Sequence, residues 1–165
     1  MSLDKFAISK TSGVHYQLSK LEGKWEGTTR TWFEQNQVAD ESPMKGSIKS
    51  VLDGRFMLYE YEGSISGKSL NGIAIIGFSI SDDKFQMAWV DSFHMGTGIM
   101  LSQGKKPDML FSVLGNYGST EMPEPWGWRT EMELKDADTL IVTAYNITPN
   151  GEEAKATETI YTRKP

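Results

Sequence analysis

The stretch Glu22-Gly23-Lys24-Trp25-Glu26-Gly27 decides the fold of this chain. It lies directly behind a short helical pattern over residues 14–22 and at the head of a long series of strand patterns. Gly23 allows a sharp turn from the helix into the first strand, and the indole of Trp25 is large enough to plug one end of a barrel core. The stretch therefore predicts a closed antiparallel barrel that begins at Gly23.

Alternating apolar and polar side chains continue this pattern to the end of the chain. Asp53-Gly54 is a strong hairpin signal between the alternating segments 44–52 and 55–62. Further alternating segments follow with turn residues between them, and they amount to about ten strands. We expect an all-β, up-and-down barrel over residues 23–165, of the size that holds one ligand. Residues 1–13 lack a clear pattern and are expected to form a loosely ordered lead-in to this single domain.

Composition narrows the classes of function. The chain has 165 residues and no cysteine, which excludes thiolate nucleophiles, disulfides and cysteine-ligated zinc. Its net charge of -5 argues against nucleic acid and anionic membrane surfaces as partners. No apolar run resembles a signal peptide or is long enough to cross a bilayer, so we expect a cytoplasmic protein.

Two titratable residues stand together where the strand before them ends. His94 is one of two histidines, and Asp91 precedes it by three positions. An imidazole can act as a general base, a metal ligand or a haem ligand near pH 7, and Asp91 is placed to orient it. The alternative is a loop histidine bonded to backbone. Because the other histidine, His15, lies in the N-terminal segment, we expect no metal site.

Aromatic side chains on shared strand faces are candidates for a ligand-binding interior. Together with one carboxylate they form the predicted ligand-binding set, which is Trp89, His94, Phe111, Trp128 and Glu60. Glu60 lies on a strand whose two faces are both partly apolar, so its side chain can be expected either inside the barrel or on the outer surface. The aromatic residues are equally consistent with an ordinary filled core.

The helix, Gly23-x-Trp25 and a basic residue on the last strand, Arg163, resemble the pattern of the calycin superfamily, which includes lipocalins and fatty-acid-binding proteins. The resemblance implies a barrel in which Arg163 packs across Trp25, so that Gly23, Trp25 and Arg163 form a structural plug. Haem-binding barrels with a similar first strand carry their proximal histidine on a late strand. Residues 139–165 contain no histidine, and we predict no haem or other cofactor.

The segment from Leu21 to about Leu101 is also similar to a bacterial family of uncharacterised barrel domains of unknown function. The resemblance implies a fold and no activity. The motifs that carry it are Glu22-Gly23-Lys24-Trp25-Glu26-Gly27, Met44-Lys45-Gly46, Gly72-Ile73-Ala74-Ile75-Ile76-Gly77 and Trp89-Val90-Asp91-Ser92.

Three functional hypotheses follow. The first is a barrel that binds a small apolar or amphipathic molecule, with an open end formed by the loops 91–98 and 115–125. The second is an enzyme with an acid/base site at the barrel mouth around Asp91 and His94. The third is a filled barrel that serves as an interaction or oligomerisation domain, for example as a homodimer.

Overall fold

The computed structural model describes residues 3–165, which form two helices and ten strands. The helices are α1 (Leu3–Ser12) and α2 (Val14–Ser19). The strands are β1 (Gly23–Glu34), β2 (Gln37–Val51), β3 (Phe56–Ile65), β4 (Lys68–Ser79), β5 (Lys84–Asp91), β6 (Met100–Lys105), β7 (Phe111–Tyr117), β8 (Trp126–Asp136), β9 (Thr139–Ile147) and β10 (Glu153–Arg163).

The strands close into one antiparallel barrel. Each strand pairs with the next one along the chain, and β1 pairs with β10 to complete the circle. This confirms the all-β, up-and-down barrel of about ten strands predicted from the alternation. Because connections alternate between the two ends, the loop 92–99 between β5 and β6 lies at the opposite end from the start of β1. No helix of the described residues is long and apolar enough to cross a membrane.

Trp25 and Arg163 occupy the end of the barrel where β1 begins, which we call the plug end. Trp25 is 1% exposed, and its indole N–H donates to the carbonyl of Leu21 at 3.0 Å. The Arg163 guanidinium lies 4.2 Å from the Trp25 ring centroid, and it donates to the carbonyls of Glu22 and Lys20. These contacts tie the last strand to the turn after α2 and cover the indole.

Helix α1 differs from the expected lead-in. Residues 3–12 form a helix because Phe6, which is 5% exposed, packs edge-on against His15 and under the guanidinium of Arg55. Lys10 adds an exposed ion pair with Asp53 at 2.6 Å. These tertiary contacts hold a segment whose own pattern is weak. Met1 and Ser2, the first residues of the expected lead-in, lie outside the described residues.

Candidate functional site

A cavity of about 70 Å³ lies inside the barrel. Its wall is made by inward-facing side chains of eight strands and by one residue of the β5–β6 loop. The lining residues are Thr29, Met44, Tyr59, Tyr61, Ile65, Leu70, Ala74, Met87, Trp89, His94, Trp128, Thr130, Met132, Val142, Ala144, Thr157 and Thr159. Three of the residues predicted to bind a ligand, Trp89, His94 and Trp128, are therefore brought together on this wall.

Asp91 and His94 form a hydrogen-bonded pair beside the cavity. One carboxylate oxygen of Asp91 accepts the backbone N–H groups of Phe93 at 3.1 Å and His94 at 2.6 Å. The other carboxylate oxygen is bonded to Nδ1 of the His94 imidazole. The Asp91 side chain is fully buried, whereas that of His94 is 19% exposed. The carboxylate therefore fixes both the loop backbone and the orientation of the ring.

The charge state of Asp91 follows from these contacts. Burial acts to raise the pKa of its carboxyl, but the hydrogen bond and charge of His94 and the two backbone N–H groups outweigh burial and lower the pKa. Asp91 is thus ionised at neutral pH. An ionised carboxylate accepts a hydrogen bond from Nδ1–H, which leaves Nε2 as the ring nitrogen without a protein partner among the described residues.

The imidazole of His94 packs against two tryptophan rings. The His94 ring centroid lies 5.5 Å from that of Trp89 and 5.4 Å from that of Trp128. Trp89 and Trp128 stack on each other at 5.5 Å with an interplanar angle of 20°. Such a stack presents a flat apolar surface that suits a planar molecule.

Tyr61 is a residue of the site that sequence reasoning did not select. Its hydroxyl oxygen accepts the indole N–H of Trp89 at 2.8 Å. Burial, and then the negative charge of Asp91, raise the pKa of Tyr61, so its phenol stays protonated. The alternation of β3 placed Tyr59 and Tyr61 on one face, but only the closed barrel shows that this face is the inner one.

Hydroxyl groups form a second part of the wall. Thr29 and Thr159, on neighbouring strands, share a hydrogen bond of 2.7 Å between their side chains. Tyr59 and Tyr161 share one of 2.6 Å, and burial raises the pKa of both phenols. Alternation in phase with Trp25 indicated that Thr29 faces inward, but nothing local indicates a partner on the last strand.

Two residues of the predicted ligand-binding set lie elsewhere. Glu60, a ligand-binding candidate whose facing was left open, faces outward because Tyr59 and Tyr61 face inward, and its carboxylate lies 4.0 Å from the ammonium group of Lys49. Phe111 is fully buried in the core, edge-on to Phe85 at 5.2 Å, and it does not line the cavity.

The second histidine lies far from the first. His15 is buried at the plug end between the rings of Phe6 and Phe78 and bonds to the Ser9 hydroxyl at 2.8 Å. Burial, followed by the charge of Arg55, lowers its pKa. Within residues 3–165, no group of three or more His, Cys, Asp and Glu side chains is placed to hold a metal ion.

Comparisons with known proteins support the fold and leave the chemistry open. A family model described as "Protein of unknown function (DUF1579)" matches residues 10–163. Among solved structures, the S-type phycobiliprotein lyase CPES from Guillardia theta is similar, with a TM-score of 0.53 and 12% identity. The alignment covers 100% of this chain and 94% of that chain. At this identity the similarity supports the barrel fold alone. No curated protein matches the sequence.

Proposed function

The chain belongs to DUF1579, a family of proteins of unknown function, and we propose that it binds a small apolar or amphipathic molecule inside its barrel. The observation that carries this proposal is the internal cavity with His94 on its wall and the buried carboxylate of Asp91 behind that imidazole. Mostly apolar cavities with a few convergent polar groups are the usual form of small-molecule sites.

The cost of the Asp91–His94 pair supports the same proposal. Taking a carboxylate out of water is unfavourable, and apolar side chains of similar volume would pack this position at least as well. Asp91 also holds the loop backbone through two N–H groups, so the pair combines a structural role with a place at the mouth of the barrel. Buried titratable pairs beside a cavity are typical of functional sites.

An outer groove among the described residues is larger than the interior cavity. It has a volume of about 910 Å³ and lies at the plug end, where Arg163 and the turns 106–110 and 137–138 meet. Its lining is mixed in charge, and the Arg163 guanidinium is already bonded to backbone carbonyls. The interior cavity is therefore the better candidate.

A cavity-filling variant tests the proposal. Ala144 lies on the cavity wall and is 5% exposed, so Ala144→Phe fills the lumen. Ala88 lies on the outer face of β5 beside Ile75, and Ala88→Phe is the matched control with the same added volume outside. Native mass spectrometry and ligand titration should show binding by the wild type and by Ala88→Phe, and none by Ala144→Phe. Equal binding by all three proteins contradicts an interior site.

A second candidate function is acid/base catalysis. The specific observation in its favour is the hydrogen bond between the Asp91 carboxylate and Nδ1 of His94. The buried carboxylate fixes the orientation of the imidazole, and Nε2 is left as the nitrogen that would accept a proton from a substrate. Screening turnover of small hydrophobic esters, ketones and epoxides tests this function. An activity that His94→Ala removes supports the enzyme, and an activity that His94→Ala leaves unchanged excludes His94 as its base.

A further inference from the structure

Some hydroxyl groups of the cavity wall have O–H protons left over once their hydrogen bonds to one another are counted. Thr29 and Thr159 have two O–H protons between them, and their mutual hydrogen bond uses one. Within residues 3–165 neither hydroxyl has another hydrogen bond, so one donor of this pair remains for the occupant of the cavity.

The two buried tyrosines repeat this arrangement. Tyr59 and Tyr161 share one hydrogen bond, and Tyr59 lines the cavity whereas Tyr161 does not. Both protons can be satisfied when Tyr161 donates to Tyr59 and Tyr59 donates into the cavity. The hydroxyl wall, defined here as Thr29, Thr159 and Tyr59, therefore offers donors to an occupant that brings acceptors.

His94 offers the opposite polarity. Its Nδ1–H is bonded to the Asp91 carboxylate, so in the neutral form of the ring Nε2 carries a lone pair and accepts a hydrogen bond. Among the described lining residues, His94 is the only one with a titratable nitrogen, and none is Asp, Glu, Lys or Arg. A charged ligand would lose its hydration and find no counter-ion from these types, so the site favours a neutral molecule.

The size and shape of the cavity limit the ligand further. A volume of about 70 Å³ is about half of the roughly 150 Å³ of an apolar cavity that holds benzene. The ligand therefore has at most one ring, and side chains of the wall must move outward to admit it. Trp89 and Trp128 stack on each other and both line the cavity, so they supply its aromatic surface.

We infer, on the basis of the interior site proposed above, that the ligand class is a neutral single-ring aromatic alcohol or phenol. The ring lies against Trp89 and Trp128. One hydroxyl donates to Nε2 of His94, and a polar group at the other end of the ring accepts from the hydroxyl wall.

Four probes of similar size separate these contributions. Toluene has neither polar group, 4-methylphenol has the phenolic hydroxyl, benzyl alcohol has the benzylic one, and 4-hydroxybenzyl alcohol has both. Titration followed by tryptophan fluorescence and calorimetry at pH 7 should give the tightest binding for 4-hydroxybenzyl alcohol. Each hydroxyl should improve the dissociation constant about threefold to tenfold, as one net hydrogen bond does.

Paired variants assign each end of the probe. Replacing both partners of a buried hydrogen bond by apolar groups of the same shape costs little, so Thr29→Val with Thr159→Val should fold. In this variant the benzylic hydroxyl should no longer lower the dissociation constant, whereas the phenolic hydroxyl should still lower it. The control, Thr29→Ser with Thr159→Ser, keeps both hydroxyls and should keep both advantages. His94→Phe should lose the phenolic advantage, and His94→Gln, which retains an acceptor, should recover part of it.

The outcomes distinguish an error in the position of the site from an error in the ligand class. If the wild type binds none of the four probes, or if Ala144→Phe binds them as well as the wild type, the interior site itself is wrong. If all four probes bind inside the barrel with equal affinity, the site stands and the ligand class is wrong. If the benzylic hydroxyl improves binding to the double valine variant as much as to the wild type, the Thr29–Thr159 pair does not recognise the ligand.

Discussion

Replacing Asp91 by asparagine should destabilise the protein and release the imidazole of His94. Asp91 accepts three hydrogen bonds, two from backbone N–H groups and one from the His94 ring. An introduced amide keeps one oxygen for the two backbone donors but turns an N–H₂ group towards the ring. Hydrogen bonds to charged groups contribute about 1.5–3 kcal/mol each, and the loss of one gives an expected destabilisation of about 2 kcal/mol for Asp91→Asn.

The pH dependence of stability should show that the Asp91 carboxylate is charged in the folded protein. The pKa of Asp91 is lower in the folded protein than its ordinary value of 3.8, so ionised Asp91 adds stability above about pH 4. That contribution is lost as the pH falls through the folded pKa. The difference in unfolding free energy between wild type and Asp91→Asn should therefore shrink as the pH falls below about 4.

Urea unfolding followed by tryptophan fluorescence measures this difference across the pH range. Long-range proton–nitrogen NMR of the histidine ring should show Nδ1 protonated in the wild type and Nε2 protonated in the variant. A variant as stable as the wild type, with a difference that does not change at low pH, would refute the role assigned to the buried carboxylate.

Three further substitutions test the fold around the site. Arg163→Met removes the hydrogen bonds to backbone carbonyls and the cation over Trp25, so thermal unfolding should report about 3 kcal/mol less stability. A loss of stability below about 1 kcal/mol would mean that these contacts do not hold the plug. Gly27→Ala places a Cβ 1.8 Å from the carbonyl oxygen of Ile160, so urea unfolding should show a loss of at least about 3 kcal/mol of stability. Stability close to that of the wild type would contradict the close approach of β1 and β10. Phe6→Ala should release α1, with faster amide exchange confined to residues 3–12; faster exchange throughout the barrel would show that the helix is part of one cooperative unit.

The barrel was predictable from the sequence because strand alternation has a period of two and recurs between clear turns. Gly23 and Trp25 marked where the alternation begins, and the plug formed by Trp25 together with about ten strands indicated a closed barrel. The Asp91–His94 pair was also within reach, since its two members lie three positions apart and their contact is local.

The rest of the site depends on contacts between distant parts of the chain. The hydrogen bonds of Thr29 with Thr159 and of Tyr59 with Tyr161 span 130 and 102 positions. No local pattern specifies such pairs. The facing of Glu60 stayed open for a related reason, because a strand with apolar side chains on both faces does not reveal which face the closed barrel turns inward.

Helix α1 shows the same limit at the N-terminus. Its own residues favour a helix only weakly, and the packing of Phe6 against His15 and Arg55 supplies the stability. Both partners lie outside the helix, and Arg55 follows the turn between β2 and β3.

NMR titration of the protein with 4-hydroxybenzyl alcohol tests the interior site most directly. The indole N–H of Trp89 and the side chains of His94 and Trp128 should shift, whereas the indole N–H of Trp25, bonded to Leu21 at the plug end, should stay in place. Shifts confined to the outer face around Ile75 and the neighbouring strands, or no shifts at saturating probe, would contradict binding inside the barrel.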